Sequence, residues 1–180
     1  LFVSAADARK YYVNKEPIED LVNVVKLAQG ISNYSFDRLV LISTVDVYEQ
    51  VNKVGNEDTK LAFEYPSYGD NRLFPENTLR AVAANAEYQI IRLQGIIANN
   101  LKKNALYDIK NSHEIEKIQR NCIMQFYPID LLSKHIEICA KLDKEIVNLS
   151  CEPVKLVEIF ERFAPSLLQQ TSNMNETTYY

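Results

Sequence analysis

The feature that most constrains the fold is a strand–helix–strand pattern in the first part of the chain. Residues 1–6 form an apolar run too short for a helix, and residues 38–43 form a second run that ends in a hydroxyl. Between them, residues 17–29 have the apolar spacing of a helix, with Pro17 in the first turn and Gly30 as the stop. Two buried strands joined by one helix predict a parallel sheet covered by helices.

The rest of the chain continues this alternation. The later predicted elements, in chain order, are a surface loop at 51–67, a helix at 74–86, a strand at 88–93, a helix at 129–142, a strand at 145–149 and a helix at 154–163. We expect the strands at 1–6, 38–43 and 88–93 to be neighbours or near-neighbours, with their carboxyl ends at one edge of the sheet.

Charge and cysteine content exclude several classes of protein. Lys and Arg number 20 and Asp and Glu number 24, a formal net charge of −4, which gives no electrostatic case for nucleic acid or an anionic membrane. No apolar run reaches the roughly 18 residues of a transmembrane helix. The three cysteines are widely spaced and the two histidines lie in no ligand spacing, so we expect reduced thiols, a cytoplasmic protein and no metal site. Because the chain opens inside a predicted central strand, we also expect natural sequence to precede Leu1.

Hydroxyl, phenol and cationic side chains follow the second predicted strand, at the edge where parallel sheets bind ligands. Ser43 and Thr44 end that strand, and Tyr68 and Arg72 come later in the chain. A free phenol has a pKa of about 10, and a cation one helical turn away favours the phenolate. Thr44 and Tyr68 could then meet one substrate oxygen and move its proton. The alternatives are a strand-end cap for Thr44, a packing role for Tyr68 and a solvated surface position for Arg72.

Two segments around these residues resemble the active-site segments of extended short-chain dehydrogenases/reductases. Residues 43–48, Ser-Thr-x-x-Val-Tyr, are similar to S-[ST]-x-x-V-Y-G, and residues 68–76, Tyr-Gly-x-x-Arg-x-x-x-Glu, to Y-G-x-x-K-x-x-x-E. Three further segments follow in the family's order, at 90–93, 126–131 and 147–149. Within the family, the resemblance is to bacterial epimerase/dehydratase-like proteins with S-T-V-D-V-Y, Y-G-x-x-R and R-L-x-x-L-F-G-x-x-L-K-K-N.

The resemblance implies an α/β fold with a Rossmann-like parallel sheet. Residues 1–98 would be the C-terminal part of an NAD(P)-binding domain, and residues 99–180 mostly a substrate-binding region, with a returning strand at 145–149. The implied activity is that of an NAD(P)-dependent epimerase/dehydratase-type oxidoreductase acting on a nucleotide-linked sugar by transient hydride transfer, in a polysaccharide context; a homodimer stays open. The implied catalytic residues are Thr44, Tyr68 and Arg72, the cofactor-binding residues Ser43, Tyr68 and Arg72, and the substrate-binding residues Lys102 and Lys103.

Several positions depart from the family pattern. Arg72 stands where the family has Lys, and Pro75 predicts that Tyr68 and Arg72 precede a helix that begins near Phe74. Val45-Asp46 differs from the Asp-Glu pair of 4,6-dehydratases, which argues against that reaction. No G-x-x-G-x-x-G loop occurs and the four glycines lie far apart, so this chain alone is not expected to bind NAD(P) tightly.

These departures leave two alternatives open. One is a catalytically silent relative of the family that serves as a ligand-binding or assembly subunit. The other is an unrelated flavodoxin-like α/β domain.

Overall fold

A computed structural model describes residues 1–51, 55–83 and 85–172 of the chain, with the side chains of residues 50 and 51 left out. The strands are β1 (Phe2–Val3), β2 (Arg38–Thr44), β3 (Glu87–Leu93), β4 (Gly95–Ile97), β5 (Ile123–Met124), β6 (Phe126–Pro128), β7 (Ile146–Leu149) and β8 (Val154–Lys155). The α-helices are α1 (Lys10–Val13), α2 (Pro17–Ile31), α3 (Tyr68–Val82), α4 (Ala105–Asn111), α5 (Leu132–Cys139) and α6 (Leu156–Phe163). Short 3-10 turns cover Val45–Val51, Ile115–Lys117, Ile129–Leu131 and Pro165–Gln170.

Four strands form one parallel sheet in the order β1-β2-β3-β7. The predicted α/β fold with a parallel sheet is therefore confirmed, and the strands expected as neighbours are adjacent. The register places Ser43 opposite Arg92 and Arg92 opposite Asn148. Residues opposite each other in adjacent strands point to the same face, so these three polar side chains form a row near the carboxyl ends of the strands.

The chain divides into two compact units, and each has its own core. The first contains Leu1–Leu93 and Glu137–Leu149, and the second contains Gln94–Ile136 and the residues from Ser150 onward. Apolar side chains of the sheet, α2 and α3 form the first core: Val3, Ala28, Ile31, Leu39, Leu41, Leu79 and Ala83. The second core consists of Ile109, Ile115, Ile118, Cys122, Phe126, Leu156 and Phe160. Within the described residues, no helix is both long enough and apolar enough to cross a bilayer.

Helix α3 begins earlier than its sequence predicts. It starts at Tyr68, after Ser67, whose hydroxyl accepts a hydrogen bond from the Asp70 amide at 3.2 Å, and it continues through Pro75. The prediction that Tyr68 and Arg72 lie before a helix beginning near Phe74 is therefore wrong. An interior proline costs a helix about 3 kcal/mol, and here buried polar contacts on both sides of Pro75 offset that cost by holding α3 in place.

Candidate functional site

The start of α3 lies against the turn that follows β2. A Cβ atom added at Gly69 would stand 2.4 Å from the carbonyl oxygen of Asp46 and 3.1 Å from its carbonyl carbon. Both obstacles are backbone atoms and cannot rotate away, so any larger residue at position 69 must push the helix from the turn. Glycine therefore permits the close approach that brings Tyr68 to the carboxyl end of β2.

Asp46 connects the residues gathered at this edge. Thr44 Oγ1 donates to Asp46 Oδ2 at 3.0 Å, and the Asp46 amide donates back to Thr44 Oγ1 at 3.2 Å. Lys10 Nζ, from α1, donates to Asp46 Oδ1 at 2.7 Å and also to the Glu49 carboxylate. The same ammonium lies 5.8 Å from the centroid of the Tyr68 ring. We call Lys10, Thr44, Asp46, Tyr68 and Arg72 the Tyr68 cluster.

Tyr68 is nearly buried, with 8% of its surface exposed. Its backbone amide donates to Asn14 Oδ1 at 3.0 Å, which caps the first turn of α3 from the end of α1. Burial, followed by the negative charge of Asp46, raises the pKa of the Tyr68 phenol, and the positive charges of Arg72 and Lys10 oppose that rise without cancelling it. The nearby cations thus act in the predicted direction, but in this cluster the neutral phenol is favoured.

Arg72 lies beside Tyr68 and is held by the Asp20 carboxylate and a backbone carbonyl. Its guanidinium carbon is 4.8 Å from the centroid of the Tyr68 ring. Nη1 and Nη2 donate to the two carboxylate oxygens of Asp20 at 2.9 and 3.0 Å, and Nη2 also donates to the Asp7 carbonyl at 2.5 Å. The side chains of Arg72 and Asp20 are 5% and 4% exposed, so Arg72 does not occupy a solvated surface position. Its predicted cofactor contact stays a prediction.

A second group of buried polar side chains fastens α3 to the sheet. Arg92 Nε and Nη2 donate to the two oxygens of Glu76 at 3.0 and 2.5 Å, and Ser43 Oγ donates to Glu76 Oε1 at 2.6 Å. Arg92 Nη1 donates to the Tyr48 hydroxyl at 2.6 Å, and Asn148 Nδ2 donates to the same oxygen at 3.1 Å. We call Ser43, Tyr48, Glu76, Arg92 and Asn148 the Glu76 network. Ser43, predicted to bind the cofactor, donates its hydroxyl proton within this network.

Lys102 and Lys103 belong to the second unit, in the exposed segment before α4. Asn104 follows them with φ of 134°, and its side chain accepts from the Tyr107 amide at 3.0 Å and donates to the Ile96 carbonyl at 2.8 Å. These contacts fix the end of the segment at the helix start. Contact of either lysine with a substrate pyrophosphate stays a prediction.

The chain's own residues only partly fit a bound dinucleotide. A cavity of about 280 Å³ lies beyond β1, lined by Ala5, Ala6, Asp7, Tyr12, Asp20, Asn23, Val24 and Leu27. Dinucleotide pyrophosphates are held by glycine-rich turns at a helix N-terminus, and none of the glycines in the described ranges has positive φ. The Tyr68 cluster could serve the reacting end of a cofactor, but the described residues form no such turn for the phosphates.

Sequence reasoning missed two members of the Tyr68 cluster. Lys10 lies in no motif, and Asp46 stands out in the sequence only as part of the departure from the 4,6-dehydratase pair. The spacing gives no signal for their ion pair, since 36 residues separate them. The sequence signal for Lys10 is its position between the first predicted strand and the next helix, on the side of the sheet where ligands bind.

No protein-family model matches the chain, and no curated protein matches it. Its fold is similar to that of solved nucleotide-sugar enzymes. One is an NAD-dependent NDP-hexosamine 5,6-dehydratase involved in tunicamycin biosynthesis, with a TM-score of 0.74 and 19% identity over 98% of this chain and 65% of that chain.

Two others are epimerases. A UDP-N-acetylglucosamine 4-epimerase from Methanobrevibacter ruminantium M1, in complex with UDP-N-acetylmuramic acid, gives a TM-score of 0.74 and 17% identity over 99% of this chain and 65% of that chain. A UDP-glucose 4-epimerase from Bifidobacterium longum, in complex with NAD+ and UDP, gives a TM-score of 0.70 and 15% identity over 99% of this chain and 66% of that chain. The chain thus has the Rossmann-type α/β fold of these enzymes and spans 65% of the length of the first two. They belong to the class of enzyme that the sequence motifs resemble.

Proposed function

We propose that the complete protein is an NAD(P)-dependent epimerase/dehydratase-type oxidoreductase acting on a nucleotide-linked sugar. The observation that carries the proposal is the Tyr68 cluster, which places a phenol, a hydroxyl and two cations at the carboxyl edge of a parallel sheet, where such sheets bind ligands. The fold shared with nucleotide-sugar epimerases and dehydratases supports the same class of activity.

Thr44 would hold a substrate hydroxyl as an acceptor. Its proton is donated to Asp46, and its oxygen accepts one hydrogen bond from the Asp46 amide. A hydroxyl has two acceptor lone pairs, so one remains for a substrate O–H group. This contact would orient the sugar carbinol whose carbon loses and regains hydride.

Tyr68 would exchange the proton of the same carbinol. Burial and Asp46 keep the phenol protonated in the chain by itself, which suits it to donate a proton to a sugar carbonyl. Removing a proton from a carbinol requires the phenolate, which Arg72 and Lys10 favour by their charge. When bound, the nicotinamide supplies the hydride acceptor. We favour epimerisation over net dehydrogenation because the family that the motifs resemble mostly regenerates its cofactor in place.

Two regions of the chain would have different roles. We assign residues 1–98 to the cofactor-binding domain and residues 99–180 mostly to substrate binding, although residues 173–180 lie outside the described part of the chain. The segment 145–149 contains β7, which belongs to the parallel sheet. In the second unit, Lys102 and Lys103 are exposed, and their positive charges would attract a substrate pyrophosphate.

A catalytically silent relative is the second candidate. Arg72 favours it, because its buried guanidinium donates three hydrogen bonds to Asp20 and to the Asp7 carbonyl. In that case the Tyr68 cluster would be a structural remnant, and the protein would bind a ligand or a partner without turnover.

Product analysis separates the two candidates. The complete protein is incubated with NAD+ or NADP+ and a panel of UDP- and TDP-sugars, and sugar stereochemistry is followed by NMR. The enzyme proposal predicts a new epimer or dehydrated sugar, with turnover reduced at least about 100-fold in Tyr68→Phe. Binding of a nucleotide sugar without any product in the wild-type protein would support the silent relative.

A further inference from the structure

Lys10 has a partly exposed ammonium group, and the proposed function gives it no defined role of its own. It is the first residue of α1, the helix that follows β1 along the chain, and its side chain is 35% exposed. The ammonium donates to Asp46 at 2.7 Å and to Glu49, and it lies 5.8 Å from the Tyr68 ring centroid. It therefore contacts the turn that positions Thr44 and faces the phenol at the same time.

The two cations beside Tyr68 differ in how accessible they are to a ligand. Arg72 forms two bonds with Asp20 and one with the Asp7 carbonyl, and its side chain is 5% exposed. An ammonium has three donors, and the contacts of Lys10 with described residues use two of them. The difference between the two cations is exposure: the side chain of Lys10 is 35% exposed and within reach of a ligand, whereas that of Arg72 is 5% exposed.

Charge balance keeps Lys10 ionised. Burial alone would lower the pKa of its ammonium, but the attraction of Asp46 and Glu49 outweighs burial and raises it. Lys10 is therefore a permanent positive charge near neutral pH. The charged groups that face Tyr68 are Lys10, Asp46 and Arg72, with Glu49 held on Lys10.

We propose that Lys10 is a positioning residue of the Tyr68 cluster, holding Asp46 so that Thr44 is oriented and lending its charge to the Tyr68 phenolate. Its effect on catalysis rests on the proposed function, whereas its effect on Tyr68 does not. Without Lys10, Arg72 alone would oppose the negative charge of Asp46 at the phenol, which disfavours the phenolate, and the Asp46 carboxylate would lose the contact that fixes its Oδ1.

The test is a site-specific titration that needs no cofactor. Replacing Tyr68 with 3-fluorotyrosine, whose phenol titrates at lower pH than tyrosine, allows its ionisation to be followed by ¹⁹F NMR despite the other tyrosines. We expect Lys10→Met to shift the midpoint upward, Lys10→Arg to restore it towards the wild-type value, and Lys15→Met, at an exposed lysine of the same region, to leave it unchanged. Lys10→Gln serves as the neutral variant if Lys10→Met does not fold.

An unchanged midpoint in the neutral variants, or an equal shift in Lys15→Met, would overturn the inference whatever the activity of the protein. In the complete, cofactor-loaded protein we further expect Lys10→Met to lower kcat at least about tenfold with a smaller change in KM. If the ¹⁹F midpoint shifts as expected but no variant, wild type included, turns over a nucleotide sugar, the proposed function fails and the role of Lys10 beside Tyr68 stands.

Discussion

We expect the ion pair between Glu76 and Arg92 to be a main contact that holds α3, and therefore Tyr68, against the sheet. Their side chains are 1% and 3% exposed, and two hydrogen bonds join them. Glu76→Leu leaves the Arg92 charge buried without its counterion and removes the acceptor of the Ser43 hydroxyl. Breaking a buried pair from one side costs about 3–5 kcal/mol. With an m-value of about 2 kcal/mol/M in urea, the unfolding midpoint should fall by about 1.5–2.5 M.

Urea unfolding followed by far-ultraviolet circular dichroism measures this shift. The matched control is Glu145→Leu, which breaks the ion pair of Arg80 and Glu145, whose side chains are 44% and 47% exposed. Exposed pairs contribute about 0–1 kcal/mol, so the control should move the midpoint by less than about 0.5 M at the same m-value. The double variant Glu76→Leu/Arg92→Met should regain most of the loss, because it leaves no unpaired buried charge.

The reasoning would be refuted if Glu76→Leu unfolded no earlier than Glu145→Leu. It would also be refuted if the double variant were as unstable as the single one, because the cost would then not come from an uncompensated charge.

Three further predictions follow from the same geometry. Gly69→Ala should lower the free energy of unfolding by about 1–3 kcal/mol, because its Cβ would stand 2.4 Å from the Asp46 carbonyl oxygen. In the control Gly30→Ala no atom lies within 4 Å of the added Cβ, so this variant should be neutral or stabilising. Thermal unfolding measures both. Because the folded-state pKa of Tyr68 is raised, its contribution to stability should be complete below about pH 10 and lost as the pH rises further, and Tyr68→Phe should weaken that alkaline loss in unfolding experiments at a series of pH values. Calorimetric titration of the 180-residue chain should detect no NAD(P) binding, since its sequence has no G-x-x-G-x-x-G loop to hold the phosphates; micromolar affinity would show that the cofactor site is misplaced.

The sheet could be predicted from sequence because its signal is local. The run in β2 is apolar on both faces, as expected of a buried strand of a parallel sheet. Helix α2 begins at Pro17 as predicted and ends at Ile31, one residue beyond Gly30. The start of α3 could not be predicted from sequence. Proline normally interrupts a helix, and the ion pairs of Arg72 and Glu76 that hold α3 together across Pro75 involve residues distant in sequence.

The candidate site was predicted only in part for the same reason. Ser43, Thr44, Tyr68 and Arg72 belong to recognisable segments, but what each side chain contacts depends on residues distant in sequence. Asp20 lies 52 residues from Arg72, and Asp46 lies 36 residues from Lys10. Periodicity and motif spacing carry no information about such pairs, which exist only once α1 and α2 pack beside α3.

The most direct test of the account is the rate of hydride transfer in the complete protein loaded with NAD(P)+. Adding a nucleotide sugar should produce the near-ultraviolet absorbance of reduced nicotinamide in a rapid-mixing experiment. We predict that Tyr68→Phe and Thr44→Val slow this phase at least about 100-fold and 10-fold, with the dissociation constant for the nucleotide sugar little changed, and that Tyr65→Phe, at an exposed tyrosine outside the cluster, leaves it unaltered. Wild-type rates in Tyr68→Phe would contradict the assignment of the proton to Tyr68, and with it the central claim that the Tyr68 cluster is the active site.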